Sequence, residues 1–182
     1  MTRKLTTEEM HRLTVEEFRE SEKLPLTVVL DNVRSLNNIG SVFRTSDAFR
    51  VEHIALCGIT ATPPHREIHK TALGAEDTVA WSYHEDTIAY VKELKSRGYG
   101  VYAVELAHDS IKLGMSNEEL GLSGKRVALV FGNEIEGVQE EVMELCDGSL
   151  EIPQYGTKHS LNVSCAAAIV IWEMFKQLRV MN

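Results

Sequence analysis

The chain has 182 residues, 43% of them hydrophobic, and its 27 acidic groups against 19 basic ones give a formal net charge of −8. A chain of this length buries roughly 70% of its unfolded surface, so one domain with its own core is expected and no disulfide or metal staple is needed. The acidic balance argues against a polyanionic partner, although ten of the nineteen Lys and Arg residues fall within the first 70 positions and leave room for a local positive face.

Residues 1–23 predict an N-terminal helical extension, with one short helix beginning at Thr7 and another at Thr14, each followed by acidic residues that suit the first helical turn. It reads either as a solvated cover for one sheet edge or as an arm that contacts RNA. Residues 24–182 form the remaining unit. LTVVL (26–30) is a β-branched run of strand length, closed by Asp31. Asn38 is well placed to cap the helix that follows, whose apolar positions Ile39, Val42, Phe43, Ser46 and Phe49 share one side. Stepping about 100° per residue puts Arg44 off that stripe, facing solvent or a cleft.

HIALC (53–57) predicts a second strand, 58–64 a loop, and 79–81 a short strand. Thr87–Arg97 predicts a helix stopped by Gly98, and 100–105 (GVYAVE) another strand. Ser116 and Glu119 suggest a capping box before the turn at 121–124. The run 127–131 (VALVF) meets a glycine-flanked acidic turn, then a helical segment, a strand over 150–152, a polar loop and a long helix of small and apolar residues. Strands alternating with helices imply an α/β architecture with a mostly parallel sheet. Three polar sets then stand where strands pass into helices: Asn38, Gly40 and Arg44; Gly132, Asn133, Glu134 and Gly137; and Gly156, Ser160 and Asn162. Such loops converge at the carboxyl edge of a parallel sheet.

Cys57, Cys146 and Cys165 lie far apart without a C-x-x-C pair, which supports neither a zinc site nor a disulfide framework and fits a reducing compartment. No apolar stretch reaches membrane-spanning length and the charged N-terminus has no signal-peptide core, so a cytoplasmic protein without a membrane partner is expected. His65 and His69, four apart with Glu67 between them, do not form the H-E-x-x-H arrangement and have no evident third ligand; no metal is expected. They are read as surface histidines, or as RNA contacts beside Arg66 and Lys70. Ser160 follows His159, yet no G-x-S-x-G elbow exists for a hydrolase.

Residues 31–45 (DNVRSLNNIGSVFRT), 128–137 (ALVFGNEIEG) and 152–168 (IPQYGTKHSLNVSCAAA) resemble, in order and spacing, the three motifs of the SpoU (TrmH-type) RNA ribose 2′-O-methyltransferases. Val138 and Gln139 depart from the usual Leu-Ser after the second motif. The resemblance covers most of 26–175 and implies a sheet with helices on both faces and a C-terminal trefoil knot that binds S-adenosyl-L-methionine. It also implies a homodimer with active sites near the subunit interface, and a tRNA or rRNA substrate. Gly132, Ile152 and Leu161 match the family's cofactor positions, with Asn133, Gly137 and Gly156 in the flanking turns. Arg44, Asn38, Glu134, Ser160 and Asn162 match the residues around the reacting centre. A guanidinium is always charged in proteins, so Arg44 is read as a clamp on phosphate or ribose, with the proton acceptor left open. Glu134 either holds a loop by accepting backbone N–H groups or orients Asn38. A catalytically silent RNA-binding protein of the same fold is the alternative.

Overall fold

Seven strands of the computed structural model, which describes residues 2–6, 8–114, 122, 125–158 and 160–178, form one sheet in the order β3-β2-β1-β6-β4-β7-β5. They are β1 (Leu24–Asp31), β2 (Val51–Cys57), β3 (Trp81–His84), β4 (Gly100–Val104), β5 (Ile111–Lys112), β6 (Val127–Phe131) and β7 (Gly148–Glu151). Every pairing is parallel, so the strands all end at one edge.

The alternation within β1 and β6 shows why both faces are covered. Leu26, Val28 and Leu30, with Val127, Leu129 and Phe131, pack on one side; Val29, Ala128 and Val130 pack on the other. A strand buried on both faces must be apolar throughout, as these runs are. The first face is covered by α2 (Leu36–Ala48), α3 (Arg66–Ala72), α4 (Ala75–Thr78) and α7 (Val163–Leu178), and the second by α5 (Thr87–Ser96) and α6 (Glu140–Leu145).

Several boundaries differ from expectation. The cap of α2 is Ser35, whose hydroxyl accepts from the Asn38 N–H at 3.3 Å; Asn38 sits inside the first turn, where its own amide is free to bond elsewhere. Val79 caps α4, and the strand expected at 79–81 begins instead at Trp81. Of the two N-terminal helices, α1 (Val15–Glu20) forms behind a Thr14 and Glu17 capping box and buries Phe18, with Arg19 donating to the Asp77 carbonyl at 2.8 Å. The first is only a 3-10 turn at Glu8–Met10, ended by His11 at φ 45°. Short β5, α3 and α4 carry too little periodicity to be read from sequence. The proposed cap at Ser116 and Glu119, the start at Thr7 and His159 lie outside the described residues.

Among the described residues, no helix is long and apolar enough to cross a membrane.

Candidate active site

β1 and β6 are paired in register, Leu30 opposite Phe131, so the turns that leave them lie side by side. Glu134 reaches across the gap. One carboxylate oxygen accepts from the Arg34 N–H at 3.0 Å, and the other from the Ser35 N–H at 2.9 Å and the Asn38 side-chain amide at 3.1 Å. It thus holds a loop and orients Asn38 at once. Burial alone would raise this carboxyl, but the Arg34 and Ser35 N–H groups, with the Asn38 amide, outweigh it and leave the pKa below the ordinary value.

Asn38 passes the connection on. Its amide oxygen accepts from the Asn162 amide at 3.1 Å, and the Asn162 oxygen in turn caps α7 by accepting from the Ser164 N–H at 2.9 Å and the Ser164 hydroxyl at 2.6 Å. One hydrogen-bonded chain, Glu134 to Asn38 to Asn162, therefore joins all three polar turns.

A reciprocal clamp lies beneath it, one that was not singled out from the sequence. Asp31, fully buried at the end of β1, accepts from the Gln139 side chain at 2.7 Å, the Gln139 N–H at 3.2 Å and the Thr87 hydroxyl at 2.7 Å. Asn32 donates to the same carboxylate at 3.0 Å. The β6 turn sends its carboxylate to the β1 turn and receives one back. Gln139, the departure from the family's second motif, supplies two of these bonds. The available signal was an acid closing an otherwise apolar buried strand.

The β6 turn itself is tight. Asn133 and Gly137 exchange backbone hydrogen bonds at 2.9 and 3.0 Å, and the Asn133 side chain bonds the Asn32 carbonyl at 2.8 Å and the Ile135 N–H at 2.9 Å. Gly137 has φ 74°, open to glycine without strain. A Cβ at Gly132 would overlap the backbone of Gly137 and Val138.

Beside this turn, at the ends of β4, β6 and β7, opens a cleft of about 420 Å³. Gly132, Asn133, Glu134, Gly137, Ile152 and Leu161 line it, together with Ser160 and Asn162. Asn38 does not line it but joins it through Glu134 and Asn162, and three expected residues stand elsewhere. Gly156 is exposed, with open space around a built Cβ. Gly40 presses α2 against α3, where a Cβ would meet the Ile68 carbonyl and the Thr71 hydroxyl. Arg44 is exposed and, among the described residues, has no hydrogen-bond or ion-pair partner. Six residues beyond Asn38, it sits roughly 9 Å further along α2 and about 120° around the helix axis.

The cleft suits a sulfonium nucleoside. Its volume falls in the usual range for small-ligand sites. Ile152, Leu161, Phe131 and Leu150 offer apolar contact, Glu105 and Glu136 offer carboxylates for a cation, and no Lys or Arg is among the described residues that line it. A phosphate-bearing cofactor would find none of the cationic groups it needs. The described residues hold no cluster of three or more His, Cys, Asp or Glu side chains placed for a metal.

Residues 25–172 match the model of the SpoU rRNA Methylase family. The tRNA (guanosine(18)-2′-O)-methyltransferase of Thermus thermophilus is 34% identical over 169 residues, 93% of this chain and 84% of that protein. The 23S rRNA (guanosine-2′-O-)-methyltransferase RlmB of Nitrosomonas europaea is 32% identical over 166 residues, 90% of this chain and 61% of that one. Among solved structures, the Aquifex aeolicus TrmH/SpoU tRNA modifying enzyme superposes with a TM-score of 0.76 at 28% identity, covering 90% of this chain and 80% of its own. An AdoMet-bound rRNA methyltransferase from Sinorhizobium meliloti gives 0.78 at 26% identity, covering 91% and 61%.

Proposed function

The chain belongs to the SpoU rRNA Methylase family, and from that membership and its cleft we propose that it is an S-adenosylmethionine-dependent enzyme that methylates a ribose 2′-hydroxyl of tRNA or rRNA. The observation that carries this is the chain from Glu134 through Asn38 to Asn162, which draws three separated turns to the rim of one cleft without cationic lining among its described residues. The cofactor supplies an electrophilic methyl group. The protein supplies position: Gly132 and the Asn133–Gly137 turn bring backbone close to the adenosine, and Ile152 and Leu161 give it an apolar seat. Ser160 and Asn162 stand at the rim to bond the ribose, and Glu134 keeps Asn38 and Asn162 in place. Holding the hydroxyl in line with the methyl carbon supplies up to about 7–11 kcal/mol of the barrier.

Arg44 fits this scheme as a clamp on the phosphate or ribose, brought by a second copy of the chain. Its position on α2, turned away from Asn38, supports that reading, as does the exposed stripe Cys165, Ile169 and Trp172 along α7. Trp172 stacks with Phe175 at 5.8 Å and packs on Phe49 at 5.6 Å, extending an apolar face that suits a homodimer. The C-terminal trefoil knot, the division into a 1–23 extension and a 24–182 enzyme unit, and a cytoplasmic location belong to the same proposal.

Arg44→Ala should abolish methyl transfer to tRNA and rRNA transcripts while leaving S-adenosylmethionine binding by calorimetry intact; full activity would refute the role. Mixing Arg44→Ala with Ser160→Ala tests the shared site. Recovery of activity above that of either variant alone is expected, and no recovery would place both residues in one subunit.

A further inference from the structure

A second cleft, of about 510 Å³, opens at the outer edge of the sheet, and among the described residues none lines both clefts. It lies beside β3, three strands or roughly 14 Å from β6. Trp81 pairs in register with Ile54 and so faces the side of the sheet covered by α2 and α3. Half-buried against the core, it offers its remaining surface to the cleft. Pro63, Pro64, His65, Arg66 and His69 form the facing wall.

The two histidines present opposite hydrogen-bonding characters. His65 caps α3 with Nδ1, which accepts from the Glu67 N–H at 3.1 Å; in the neutral ring the proton is then on Nε2, a donor. His69 holds the Glu76 carboxylate through Nδ1 at 2.5 Å, so its neutral ring leaves Nε2 as an acceptor. A flat indole with one donor and one acceptor nearby is what an unpaired nucleobase needs, a π-face and a polar edge. Glu76 and Asp77 share the cleft, and their carboxylates oppose entry of a phosphate while favouring an exocyclic amino group. Arg66, exposed and without a partner among the described residues, stands in the facing wall with its guanidinium available to a backbone phosphate at the mouth of the cleft. Tyr83 continues the same face of β3 toward the carboxyl edge, its hydroxyl anchored on the Gly58 carbonyl at 2.9 Å.

From this arrangement we infer that the cleft at the β3 edge holds one unpaired base of the RNA, stacked on Trp81, away from the ribose that is methylated. The inference rests on the reading of the chain as an RNA-directed enzyme. It gives an acidic protein a way to grip RNA that depends on stacking more than on net charge.

The test uses the full chain labelled with 5-fluorotryptophan. Its two tryptophans give two fluorine resonances, assigned with Trp81→Phe. Single-stranded polyadenylate or polyuridylate should shift the Trp81 resonance saturably, and inorganic polyphosphate should not. Trp81→Ala should raise KM for an RNA transcript about 5- to 150-fold, the range that loss of one stacked base gives, with kcat at saturating RNA and S-adenosylmethionine affinity unchanged; Trp81→Phe should restore most of the loss. An unmoved Trp81 resonance at saturating RNA, an equal response to polyphosphate, or an unchanged KM in Trp81→Ala would overturn the inference. If Trp81→Ala fails to fold, the resonance and the Trp81→Phe variant still decide. These outcomes count against the base site alone when the parent binds S-adenosylmethionine and methylates RNA. A parent that does neither overturns the functional reading instead, whatever Trp81 reports.

Discussion

The two turns that wall the methyl-donor cleft are held in different ways. The turn after β6 is fastened at both ends by exchanged carboxylates: Glu134 binds the β1 turn, and Asp31 returns the contact through Gln139. The segment after β7 runs along the surface, with Tyr155 85% exposed, and joins the network at Asn162. One wall is thus set by the fold before any ligand arrives, and the other meets it, among the described residues, at Asn162. Preorganised backbone donors cost nothing to align when substrate binds. Damage to the first wall should therefore appear as lost stability, and damage to the second as lost chemistry.

That contrast can be broken at graded points. Gly132→Ala should have the largest effect, because its Cβ meets backbone that cannot rotate away; about 3 kcal/mol of stability, or roughly 6–12 °C in Tm, should be lost together with cofactor binding. Asn162→Ala should cost about 1 kcal/mol as a lost cap and release Asn38, so a modest shift in Tm should accompany a large fall in methyl transfer. Glu134→Gln should cost about 1 kcal/mol near neutral pH, since its bonds lose their charge. The folded carboxyl titrates below its ordinary value of 4.5, so its contribution is complete above about pH 4.5 and is lost as pH falls through the depressed value. The gap in Tm between Glu134→Gln and the parent should stay constant from pH 7 to about 4.5 and close below that. Ser160→Ala should leave the stability within about 0.5 kcal/mol of the parent yet slow the reaction. A large loss of stability there would erase the distinction between the walls.

The sequence exposed most of this where local rules decide. β1 and β6 were legible because a strand buried on two faces has no polar alternation, and α5 because Ile88, Val91 and Leu94 repeat at helical spacing before Gly98. The three turns were legible as motifs. Their connection was not: the bond from Asn38 to Asn162 spans 124 positions, and no local pattern encodes it. Asparagine commonly caps helices, which makes Asn38 look like the cap in sequence, whereas Ser35, three residues earlier, fills that place and leaves the amide for Glu134. The clamp made by Asp31 is hidden for the same reason as the Asn38–Asn162 bond, since its partners Thr87 and Gln139 come from β3–β4 and β6–β7 connections far along the chain.

The position of β6 between β1 and β4 bears on how the protein is made. A ribosome that has delivered residues 1–126 has produced one partial sheet, β3-β2-β1, whose inner edge awaits β6, and a β4 strand whose neighbours β6 and β7 have not yet emerged. Synthesis at about 5–20 residues per second leaves those edges unpaired until Val127–Phe131 arrives, a period in which a chaperone would find apolar side chains and unpaired strand edges to shield.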